Sequence, residues 1–126
     1  MALGNEIGTF DMKSTSVTLE GSGGRVTNAE VNFEGDLSGE FKGFALATMS
    51  VNSKDGKDGT YKVTARCFMA DGSIVDAVGE GTTTSAGGQK WTVAGIADTS
   101  DGRSTAVRGE IDLINRRYSG KMFERT

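Results

Sequence analysis

Apolar and polar residues alternate with a period of two along most of this chain, and glycine, aspartate and serine interrupt the alternation at intervals. Such a pattern predicts strands, because successive side chains of a strand point to opposite faces. It is clearest over residues 60–69, 74–84 and 90–98, which read as three consecutive antiparallel strands. Ala70-Asp71-Gly72-Ser73 and Ala86-Gly87-Gly88-Gln89 separate them. Asp-Gly is a strong signal for a two-residue hairpin turn. Read that way, Asp71-Gly72 pairs Met69 with Ile74, Cys67 with Asp76, Ala65 with Val78 and Val63 with Glu80. One face then carries Tyr61, Val63, Ala65, Cys67 and Met69 beside Ile74, Asp76, Val78 and Glu80, so two carboxylates join an otherwise apolar surface. A turn at Gly87-Gly88 pairs Thr84 with Trp91 and adds Trp91, Val93, Gly95 and Ala97 to that face.

The flanking segments extend the sheet. Residues 6–20 form a long first strand whose apolar positions Ile7, Phe10, Met12, Val17 and Leu19 require one change of phase, as a bulge would give. Gly21-Ser22-Gly23-Gly24 reads as a turn. A phosphate-cradling loop would need a helix after the glycines, whereas Arg25-Val26-Thr27 opens a second strand over residues 25–34. That strand has an apolar face (Thr27, Ala29, Val31, Phe33) and a polar one (Asn28, Glu30, Asn32, Glu34). A third strand, residues 37–51, aligns Leu37, Gly39, Phe41, Gly43, Ala45, Ala47, Met49 and Val51. Its connection to the second strand leaves two registers open. A two-residue turn at Gly35-Asp36 places Glu30, Asn28 and Asn32 on the apolar face of the third strand. A three-residue turn at Glu34-Gly35-Asp36 sends them outward, since a one-residue slip exchanges the two faces of a strand.

Residues 53–59 form a polar loop without the ligand spacing of a calcium loop. A seventh strand offers Val107, Gly109, Ile111 and Leu113 after an odd-length turn with a bulge at Gly102. Asn115-Arg116 then pairs Leu113 with Tyr118 and Gly109 with Met122, which turns Tyr118, Gly120, Met122 and Glu124 inward. Eight strands joined by short turns predict an all-β fold, a closed eight-stranded antiparallel up-and-down barrel, because closure removes the two bare edges of an open sheet. Such a barrel has room inside for side chains or one small ligand.

Composition narrows the function. The 126 residues make one domain, residues 1–126, with 19 glycines and no proline. A formal charge of −3 and the absence of a basic patch argue against a nucleic-acid partner. No apolar run approaches the ~20 residues that span a bilayer, and the first residues lack the pattern of a signal peptide, so a cytoplasmic protein without a membrane partner is expected. Cys67 is the single cysteine and histidine is absent. Ser-His-Asp and Cys-His catalysis and the usual zinc sites fall away with them, and neither metal nor cofactor is expected.

Candidate chemistry rests on carboxylates and the lumen. Asp76 and Glu80, facing an apolar interior, would have raised pKa values and could serve as general acid or base. Glu30, flanked by Asn28 and Asn32, would join them in the two-residue register. Phe41, Met49, Tyr61, Cys67, Met69, Trp91, Tyr118 and Met122 are the expected ligand-binding lining. Cys67 reads as packing rather than as a nucleophile, since apolar walls and a nearby carboxylate both hold a thiol protonated. Apolar outer residues such as Phe44, Leu46, Phe68 and Phe123 point to a homo-oligomer.

Gly8-Thr9-Phe10, Gly35-Asp36-Leu37-Ser38-Gly39-Glu40, Asp71-Gly72-Ser73 with Gly79-Glu80-Gly81-Thr82, and Arg108-Gly109-Glu110 occur in this order. Across nearly the whole chain this is similar to a functionally uncharacterised bacterial family of small barrels grouped with the allene oxide cyclase-like, calycin-like barrels. The resemblance implies an eight-stranded barrel, often oligomeric, that holds a small apolar molecule. The cyclase's catalytic motif has no residue-by-residue match here, so no catalytic residue carries over. Three functions follow as expectations. The first is a cofactor-free isomerase or cyclase acting on a small apolar organic molecule. The second is a binding or carrier barrel without chemistry, and the third is a structural protein whose lumen its own aromatics fill.

Overall fold

The structure, a computed structural model, describes residues 3–125. It is all-β. Eight strands run in sequence around a closed antiparallel barrel: β1 (Leu3–Ser22), β2 (Arg25–Gly39), β3 (Gly43–Asn52), β4 (Gly59–Met69), β5 (Ile74–Gly87), β6 (Lys90–Thr99), β7 (Ser104–Asp112) and β8 (Arg117–Arg125). β1 pairs with both β2 and β8, which closes the ring. Among the described residues no helix is long and apolar enough to cross a membrane.

The expected phase change in the first strand occurs between Ser14 and Ser16. Before it, Phe10 and Met12 are buried. After it, Val17 pairs with Val31 and Leu19 with Ala29, so the odd-numbered positions now share the inner face. The odd-length turn with a bulge at Gly102 is also present. Gly102 has φ 90°, and its N–H donates to the Thr99 carbonyl at 3.0 Å. Trp91 therefore lies opposite Ile111, Val93 opposite Gly109 and Gly95 opposite Val107.

The β4–β5 turn corrects the sequence reading. It is a three-residue turn of the same kind, with Gly72 at φ 91° and its N–H donating to the Met69 carbonyl at 3.0 Å. A type I turn closed by one left-handed residue asks positive φ of Gly72 alone, whereas the two-residue type I′ turn asks it of Asp71 as well. Cys67 consequently pairs with Val75, Arg66 with Asp76 and Lys62 with Glu80. The inner face of β5 is Val75, Ala77, Gly79, Gly81 and Thr83, and Asp76 and Glu80 lie on the outer wall. Burying two unpaired carboxylates costs far more than any turn preference returns. The β5–β6 turn is displaced too. Gly88 and Gln89 take positive φ, and an irregularity between Ser85 and Gly87 pairs Ser85 with Trp91. The two one-residue slips cancel, and β6 keeps its expected inner face.

Neither expected β2–β3 register is found. β2 runs straight through Gly35-Asp36 to Gly39, and the turn falls at residues 40–42. Gly35 is an in-strand glycine at a close approach, because a Cβ there would stand 2.2 Å from the Asp11 carbonyl oxygen of β1. Leu37 thus belongs to β2, where it forms the last pair with β3, opposite Gly43. Asn28, Glu30 and Asn32 point outward. The Thr48 hydroxyl donates to Asn32 Oδ1 at 2.7 Å, and the Ser50 hydroxyl donates to Asn28 Oδ1 at 3.2 Å. The final turn is longer than the two residues expected, pairing Ile111 with Tyr118 and Val107 with Met122. The faces are unchanged because the register moves by two.

Candidate functional site

Strand lengths create the site. β1 and β2 span 20 and 15 residues against nine in β7 and β8. β8 pairs with β1 only as far as Lys13, and β3 pairs with β2 only from Ala29. The far part of the β1–β2 hairpin therefore rises past the rim. Its inner residues Val17, Leu19 and Val26 are exposed, yet they wall a cavity of about 720 Å³ at this end of the barrel. Val31, Phe33, Val51, Trp91, Ile111 and Leu113 complete an apolar cup. The size falls within the range of small-molecule pockets.

An aromatic and aliphatic plug floors the cup. Phe33 packs on Tyr118 with ring centroids 5.3 Å apart, and Tyr118 meets Phe10 edge-on at 4.8 Å. Met49 and Val93 are buried in the same core cluster. Below the plug lies a chamber of only about 100 Å³. Phe41 closes its lower end from the β2–β3 turn, with the Arg103 guanidinium 4.7 Å above its ring. Arg103 is held in turn by Glu40 at 2.9 Å.

The expected lining residues therefore divide. Phe41, Tyr61, Cys67, Tyr118 and Met122 surround the small chamber. Met49 belongs to the plug, and Met69 is partly buried against the core. Only Trp91 lines the large cup. The expected acids fall outside altogether. Glu80 and Glu30 are exposed on the outer wall. The Asp76 carboxylate accepts two bonds from Arg66, at 2.7 and 3.0 Å, and that guanidinium holds its pKa below the usual carboxylate value. Asp76 is thus a surface carboxylate held ionised at neutral pH, the opposite of the raised lumenal acid expected. Sequence reading put Val17, Leu19, Val31, Phe33, Ile111 and Leu113 on apolar faces, with Val31 and Phe33 turned inward in only one of the two registers, and none of them in the site. The excess length of the first two strands was the available signal.

Burial governs the interior titrations. Desolvation pushes the Cys67 thiol up, with the Asp76 charge adding to it. The Tyr61 phenol is pushed up to about 12 by burial, against an opposing pull from Arg108. Burial raises Tyr118 further still, and the neighbouring Tyr61 adds to the shift. The chain has two tyrosines, so an ultraviolet titration reads both. The folded protein is expected to show only a small phenolate signal at about pH 11, roughly a tenth of Tyr61, where a free tyrosine is largely ionised. The unfolded chain gives up these protons first, so stability falls as pH rises from about 10 through about 12. A phenolate signal at the ordinary tyrosine pKa in the folded protein would contradict this packing.

Among the described residues no cluster of acidic or cysteine side chains could hold a metal ion. No family model, no curated protein and no solved structure matches this chain.

Proposed function

We propose that this protein is a binding or carrier barrel that holds one small apolar organic molecule in its cup and releases it unchanged. One observation carries the reading: an apolar cavity of about 720 Å³ walled by Phe33, Trp91 and the overhanging β1–β2 hairpin. The isomerase reading rests on Asp76, Glu80 or Glu30 as a lumenal proton donor, and all three are on the outer wall; the carboxylates that do line the cup, Asp55 and Asp112, are held below the usual carboxylate range by hydrogen bonds within their own loops. The carrier reading needs no such group. A wholly filled lumen suits only the lower half of the barrel. The eight-strand closure and apolar interior support placing the chain among allene oxide cyclase-like barrels. The negative net charge supports a small-molecule partner over nucleic acid. Exposed Phe44, Leu46, Phe68, Ile74 and Val78 on β3–β5 support contact between copies.

Trp91 is the only tryptophan, so its emission reports on the cup directly. Titration with a neutral naphthylamine probe is expected to shift that emission saturably, with one site per chain and micromolar affinity. Glu80→Gln should leave the curve unchanged. The bound compound, recovered and weighed by mass spectrometry, should be chemically intact. Absence of saturable binding across neutral apolar probes would overturn the reading, and conversion of the bound compound would restore the enzyme.

A further inference from the structure

The charges around the cup are not those of the chain as a whole. The net charge is −3, yet the cup is lined by five cations, Arg25, Lys54, Lys57, Arg116 and Arg117, against two carboxylates, Asp55 and Asp112. These cations come from separate parts of the rim: the β1–β2 hairpin tip, the loop of residues 53–58 and the β7–β8 turn. Arg117 is neutralised by Asp11 at 2.6 Å. Among the described residues Arg25, Lys54, Lys57 and Arg116 form no ion pair; Lys42, Lys62, Lys90 and Arg108 are unpaired there too but lie scattered over the barrel, whereas these four meet at one mouth.

The two rim carboxylates are already engaged within their own loops. Asp55 accepts the Lys57 N–H at 2.8 Å and the Asp58 N–H at 3.3 Å. Asp112 accepts the Asn115 side-chain amide at 2.8 Å. Nearby Asp58, off the cup wall, accepts the Ser85 N–H at 3.0 Å. Both lining carboxylates keep their charge, so once Arg117 is paired with Asp11 the cup lining holds four cations against two carboxylates, a net positive mouth above apolar walls.

From this we infer that the ligand is an amphiphilic anion, an apolar body in the cup with a terminal carboxylate or equivalent anionic head among Arg25, Lys54, Lys57 and Arg116. This rests on the carrier reading and narrows it to a ligand class. The orientation follows from desolvation: the tail displaces water from Val31, Phe33, Trp91 and Ile111, and the head stays hydrated at the mouth, where its charge carries no burial penalty. Each exposed pairing is weak, so the preference comes from several cations acting together, and salt screens it.

The test compares three probes of one chain length, decanoate, decanol and decylamine, read by Trp91 emission at low salt. Decanoate is expected to bind about tenfold more tightly than decanol, and decylamine more weakly than decanol. Salt at ~1 M should reduce the decanoate advantage to about twofold or less. The triple variant Arg25→Gln, Lys57→Gln, Arg116→Gln should bring the decanoate and decanol constants within about twofold of each other. Decanol binding as tightly as decanoate to the unaltered protein would overturn the anionic head and leave the cup standing. Failure of all three probes to bind would overturn the cup reading, and this inference with it.

Discussion

Gly81→Ala is expected to remove about 3 kcal/mol of stability, the upper part of the usual overpacking range. A Cβ at residue 81 would stand 2.2 Å from the Ala94 carbonyl oxygen, 2.6 Å from Gly95 Cα and 2.8 Å from the Tyr61 ring. Two of these neighbours are backbone atoms of β6, which cannot yield without moving the strand. The third is a buried ring spread across the glycines. Gly95 opposite is equally tight, its Cβ position lying 2.2 Å from the Tyr61 hydroxyl. Glycines on β5 and β6 thus form the recess that lets Tyr61 lie across the lumen. For a domain of this size the loss corresponds to a fall in Tm of roughly 10 °C. Thermal unfolding followed by circular dichroism checks it. Thr82→Ala, next in the chain and exposed on the outer wall, should stay within about 0.5 kcal/mol of the parent. Equal effects at the two positions would show that the recess is not what these glycines serve.

Phe33→Ala should cost about 3–5 kcal/mol, the usual range for truncating a buried phenylalanine, and should also change what the barrel accepts. Phe33 is 4% exposed. It forms the boundary between the cup and Tyr118, whose ring borders the chamber below. Removing it opens the floor, so an alkanol several carbons longer than decanol should gain affinity relative to decanol. Phe33→Leu retains most of the floor and should show the smaller stability loss without the change in chain-length preference. If Phe33→Ala lost stability but kept the parent's preference, the plug would not be what limits the depth of the cup.

The strands, their order and most inward faces were legible in the alternation of residues. Phe10 and Met12, Ala45 through Val51, Tyr61 through Cys67, Trp91 through Ala97 and Val107 through Ile111 all follow it, whereas the direction of Val31 and Phe33 stayed open between two registers. The bulges in β1 and at Gly102 were legible too, because apolar residues on both sides could share one face in no other way. Misreading arose where a local signal and burial disagreed. Asp71-Gly72 satisfies a two-residue and a three-residue turn equally well in the sequence. The choice between them decides whether Asp76 and Glu80, or Val75, Ala77 and Gly79, face the interior. Gly35-Asp36 resembles a turn for a similar reason, since a glycine needed for close strand approach is the same letter as one needed for positive φ.

Period-two patterning thus established an eight-stranded barrel with an apolar inside, because burial of alternate residues is a property of each strand taken alone. Closure settled the rest. Whether a carboxylate faces in or out depends on the register between neighbours, and each register answers to the packing of the whole ring. The cup and its basic rim arise because β1 and β2 outrun their partners and three distant connections meet at one end. Residues 25, 54, 57 and 116 become neighbours only when the sheet rolls shut.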